Sequence, residues 1–214
     1  MQTHDFIAQH RNGWQSMWQA LAPSHAGQDA LLTELTRRYS EPHRHYHTLE
    51  HLDACLRHLA GVRETLTRPQ EVAFALWFHD AIYEIGASDN ELRSADWARQ
   101  ALLAAGGTAQ AADRMHAAIM VTRHDQPAHT TDQQMLLDVD LAILGAPPAV
   151  FDAYERQIVQ EYQSVPGAAF RSNRRRILQG FLERAQIYHS TPFLATREAQ
   201  ARANLERSIR ALAD

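Results

Sequence analysis

Segments in which Val, Ile, Thr and aromatic residues alternate with polar ones between hairpin turns are nearly missing from this chain, which argues against a sheet. Ala, Leu, Arg and Gln are abundant in their place, and these are good helix formers. Phe6, Trp14, Met17, Trp18 and Leu21 fall mostly at three- and four-residue spacings, giving one apolar stripe on a helix over 5–21. A second helix is expected over 29–39, ended by Ser40-Glu41-Pro42, because proline disfavours the helical conformation of the residue before it. Leu49, Leu52, Leu56, Leu59 and Val62 mark a third, and a fourth runs over 69–83 with Pro69 in its first turn. Ser88 and Glu91 have capping-box spacing for a fifth, which Gly106-Gly107 ends. Further helices are expected at 109–123, 132–144, 148–163, 170–188 and 192–213. The fold class is all-α.

With 214 residues, 45% of them hydrophobic, and no linker rich in Pro, Gly or Ser, a single domain over 1–214 is expected. Lys and Arg number 21 against 25 Asp and Glu. This mild acidity disfavours a nucleic-acid duplex or an anionic membrane as partner. Cys55 is the one cysteine and has no intramolecular disulfide partner. The N-terminal residues lack a signal-peptide layout and no apolar run has bilayer length, so the expected compartment is the cytoplasm. Apolar helices in a chain of this size point to a homodimer.

The segment Val72-Ala73-Phe74-Ala75-Leu76-Trp77-Phe78-His79-Asp80-Ala81-Ile82-Tyr83 is apolar on nearly every face, hence buried. A carboxylate there loses several kcal/mol of hydration unless a cation or good hydrogen bonds compensate. The neighbouring histidine points to a metal; the alternative is an acid paired with arginine beside a hydrogen-bonded core histidine. Upstream, Arg44-His45-Tyr46-His47-Thr48-Leu49-Glu50-His51-Leu52 is dense in histidine, with His47 and His51 four apart, while His43 and His45 read as loop residues. Downstream, Asp138 and Asp140 lie in the apolar stretch 136–144.

His47, His79-Asp80 and Asp140, in that order and on separate helices, resemble the H…HD…D pattern of the HD superfamily of metal-dependent phosphohydrolases, and more narrowly its bacterial group of predicted HD phosphohydrolases. The matching stretches are RHYHTLEHL, WFHDAIY with DNELRSA, DVDLAILG and EAQARANLERSI. The resemblance implies an HD-domain-like helical bundle with His47, His79, Asp80 and Asp140 as metal ligands. His51 and Asp138 are the fallback positions. Many relatives read HDxGK where this chain reads HDAIY, so a mechanism needing that lysine does not carry over.

Two imidazoles and two carboxylates suit Mn, Fe, Co, Ni or Zn. Open positions on such an ion admit water and a phosphate oxygen, which makes hydrolysis of a small phosphate ester, a nucleotide above all, the leading reaction. His51, Glu84, Glu91 and His124 are candidates for acid or base. His116 and His124 lie between the HD pair and Asp140, where some relatives hold a second metal. Arg44 and Arg174, the latter in the basic run 171–176, are candidates for the substrate phosphate. Cys55 sits in an amphipathic helix with no mark of an activated thiolate, so activity is expected to survive Cys55→Ser. Two rival readings are an HD-fold di-iron oxygenase and a non-catalytic sensor binding a nucleotide or metal.

Overall fold

The structure, a computed structural model, describes residues 1–22, 24 and 27–212. Among these it is all-α, with ten helices, three short 3-10 turns and no strand. The contacts group into two compact units, Met1–Leu136 and Leu137–Asp214, whereas no linker in the sequence marks a division.

The first unit is built from α1 (Thr3–Leu21), α2 (Gln28–Arg38), α3 (Leu49–Val62), α4 (Pro69–Phe78), α5 (Asn90–Ala104) and α6 (Ala109–Met120), and α7 (Thr131–Asp140) starts within it. Every residue of α4 from Val72 to Phe78 is buried, so the helix is the core around which α1, α3, α5 and α6 pack. Aromatic edges fill the α1 contact: Trp14 meets Trp77 at 4.8 Å between centroids, and Trp18 meets Phe74 at 5.3 Å. Asp53 of α3 fixes α1 in register by accepting from Gln9 Nε2 and lying 2.8 Å from His10 Nε2. Thr48 caps α3 by accepting from the Glu50 amide, and Thr108 caps α6 by accepting from that of Ala111. Gly106, at φ 83°, ends α5 in a left-handed turn in which the Gly106 and Gly107 amides donate to Leu103 and Leu102.

In the second unit, α8 (Pro148–Glu161), α9 (Gly167–Leu182) and α10 (Thr191–Ala211) follow a 3-10 turn over Leu141–Gly145. Side chains after α9 hold that turn. The Tyr188 hydroxyl donates to Leu141 O and accepts from Gly145 N, both at 2.9 Å, while Asn204 Nδ2 donates to Leu144 O and Ala146 O. A Cβ on Gly145 would lie 2.6 Å from Arg197 Cβ, which reserves the position for glycine.

Several helices end earlier than their sequence pattern predicts, because distant side chains take the freed backbone groups. The fourth stops at Phe78, not Tyr83. The ninth stops at Leu182, not 188, where Arg202 donates to the carbonyls of Leu182, Arg184 and Ala185 and Glu198 accepts from the amides of Ile187 and Tyr188. The sixth and seventh close in 3-10 turns at Val121–Arg123 and Leu141–Gly145. The fifth begins at Asn90, and the expected Ser88 capping box does not form. Residue 213, the expected last residue of the final helix, lies outside the described residues.

Candidate metal centre

Residues 79 and 80 would diverge by about 100° on a continuous helix. α4 ends at Phe78, and both residues stand in the turn that follows, His79 still with right-handed helical dihedrals. Tyr39, just past α2, spans the break: its hydroxyl donates to Trp77 O and accepts from Asp80 N, each at 3.3 Å. Arg44, its side chain fully buried, donates to the carbonyls of His47, Asp80 and Ala81. On the far side of the turn, Ser94 Oγ accepts from Ile82 N, and the Asn90 amide exchanges two hydrogen bonds with the backbone of Glu84.

The turn therefore presents both side chains of the HD pair to α3. His79 Nε2 stands 3.1 Å from His51 Nε2 and 3.1 Å from Asp80 Oδ2, and His51 Nε2 is 3.5 Å from the same oxygen. Ligands held about 2.0–2.1 Å from a metal stand about 3.3 Å apart in a tetrahedral shell and about 2.9 Å apart in an octahedral one. The triangle has those dimensions. His79 Nδ1 lies 2.8 Å from Leu76 O, and a carbonyl only accepts, so Nδ1 donates and Nε2 is the nitrogen that faces the triangle. Burial opposes the charge on Asp80, yet the imidazoles of His79, His47 and His51 hold its carboxyl well below the usual range.

Cys55 joins this group. It lies one turn beyond His51 on α3, is 1% exposed, and places Sγ 3.7 Å from His51 Nε2. The donor atoms of His51, Cys55 and His79 all fall within 4.8 Å of one another, a buried set able to hold a metal ion. Nothing in the sequence around Cys55 marks an activated thiolate, but the spacing His51-x-x-x-Cys55 puts it one helical turn from a candidate ligand.

The other expected residues are distributed as follows. His47 precedes α3, stacks on Tyr83 with centroids 4.2 Å apart, and lies 5.9 Å from the His51 ring. Glu91, in the first turn of α5, has its carboxyl pKa raised by burial and by the charge of Asp80. Glu84 is mostly exposed and bonds Arg93, which lowers its pKa. His124 adopts the left-handed conformation at φ 60° after the 3-10 turn that follows α6. His116 lies 3.0 Å from the exposed carboxylate of Asp96, and His43 Nε2 lies 2.7 Å from Tyr83 O.

In the second unit, Asp138 is fully buried and accepts from the amides of His189 and Ser190, just ahead of α10. Asp140 is the last residue of α7; its charge reaches Tyr154, whose hydroxyl is pushed up in pKa chiefly by burial. Arg174 is buried against the Tyr154 hydroxyl and Glu155. The two arginines expected at a phosphate thus have protein partners, Arg44 at backbone carbonyls and Arg174 at this tyrosine and glutamate.

Comparison with protein-family models, curated proteins and solved structures gives no match. Among the described residues, no single helix is long and apolar enough to cross a membrane.

Proposed function

We propose that the protein is a metal-dependent phosphohydrolase that holds a divalent transition metal through His51, His79 and Asp80 and hydrolyses a small phosphate ester, with nucleotides the leading substrate class. The observation that carries this reading is the triangle of His51 Nε2, His79 Nε2 and Asp80 Oδ2, with edges of 3.1, 3.1 and 3.5 Å. The resemblance to HD phosphohydrolases supports the reaction class and adds His47 as a further ligand. A divalent ion bound there supplies Lewis acidity and lowers the pKa of a coordinated water.

The chain's own residues have distinct tasks in this reading. The Leu76 carbonyl fixes the His79 ring through Nδ1, and Asp80 contributes negative charge from a site where it stays ionised. Glu91 keeps its proton to higher pH than an ordinary carboxyl and is the group suited to protonate a leaving oxygen. The di-iron alternative needs further histidine ligands, and of the two expected ones His116 is engaged by Asp96.

The test is elemental analysis together with a panel of phosphomonoesters and phosphodiesters assayed with Mn, Co and Zn. Activity should vanish with a chelator and return with metal. Asp80→Ala should abolish metal binding and turnover. Equal metal in Asp80→Ala and the parent overturns the site; tight metal binding with no turnover across the panel overturns the enzyme and favours the sensor.

A further inference from the structure

We propose that Cys55 is a sulfur ligand of this centre, so that the metal is held by a His51-His79-Cys55 set, with Asp80, and the site selects Zn, Co or Fe over Mn and Mg. The inference rests on the metal-binding reading above and changes its ligand chemistry. A sulfur about 2.3 Å and a nitrogen about 2.0–2.1 Å from one ion stand about 3.1 Å apart at an octahedral angle and about 3.5 Å apart at a tetrahedral one. Cys55 Sγ lies 3.7 Å from His51 Nε2, with its helix already bringing the two side chains to one face at i and i+4. His51, Cys55 and His79 each bring a donor atom within 4.8 Å of the others, and the sulfur stands 3.7 Å from His51 Nε2 and 3.9 Å from Nδ1.

The environment also fits a metal thiolate better than a reactive thiol. Cys55 is 1% exposed, His51 6% and His79 1%, which closes the set to bulky reagents. Two imidazoles and a thiolate are softer than the all-nitrogen-and-oxygen set read from the sequence, and such a shell disfavours Mn and Mg. On binding, the S–H bond breaks, its proton passes to solvent and the sulfur lone pair fills a metal orbital; nothing is oxidised or reduced.

Cobalt makes the sulfur visible. The full-length protein is stripped with a chelator, dialysed and titrated with Co(II) while absorbance is followed. The expected result is a near-ultraviolet thiolate-to-cobalt charge-transfer band that saturates with bound cobalt. Cys55→Ser should still bind cobalt, with its visible d–d bands, but lack that band and lose on the order of tenfold or more in Zn affinity while Mn affinity changes little. Cobalt binding to the parent without the charge-transfer band overturns the sulfur ligand and leaves the metal site standing. No cobalt uptake by the parent overturns both. The parent's spectrum decides the matter even if Cys55→Ser does not fold.

Discussion

A carboxylate removed from water must face donors or a cation, and Asp138 faces donors. The amides of His189 and Ser190 approach it at 2.6–3.1 Å, and His189 Nδ1 at 3.3 Å. Asp138→Asn would turn an NH2 toward a backbone amide, which only donates. We expect a loss of about 1–3 kcal/mol in denaturant unfolding with metal content unchanged; loss of metal in this variant would assign the ligand to position 138. Helical spacing alone does not choose between Asp138 and Asp140, because the choice depends on the His189-Ser190 backbone some fifty residues away. The histidines pose the same problem at shorter range. Thr48 starts α3 at Leu49, which leaves His47 ahead of the helix and puts His51 within it, one turn before Cys55. Histidine density in this segment was legible; which ring meets His79 depended on a cap.

At the scale of elements, α2 carries its own acid-sensitive clasp. Arg37 donates twice to the Glu34 carboxylate at 2.7 Å and Arg38 once at 2.9 Å. The Arg37 hydrogen bonds, opposed by partial burial and helped by Arg38, lower the Glu34 pKa from 4.5 to about 2. A depressed folded-state pKa means that the contribution is present above 4.5 and is lost as pH falls toward about 2. The parent should therefore lose more Tm than Glu34→Gln between those two pH values, by a small margin since the pair is over a third exposed. Parallel Tm profiles for the two proteins would refute the clasp. Helix identity was readable from apolar spacing, whereas the ends of the fourth and ninth helices were not. Arg44, Tyr39, Arg202 and Glu198 set those ends from other parts of the chain, and no local pattern records them.

For the whole molecule, the all-α class was legible because strand patterns are scarce, and the split at Leu137 was not, because it falls inside a helix with no change of composition. The break after Phe78 has a consequence in time. Left to its local sequence, the apolar run continues as helix; the turn that gathers His79 and Asp80 is stapled by Tyr39 to Trp77 and Arg44 to Asp80, contacts 38 and 36 residues apart. Closing such loops costs entropy before the contacts return anything, so the ligands come together late in folding. Contacts absent from the transition state act on unfolding alone. Saturating zinc should slow the unfolding arm in stopped-flow denaturant jumps and leave the refolding arm where it was; an accelerated refolding arm would mean that the metal nucleates the chain rather than locking it.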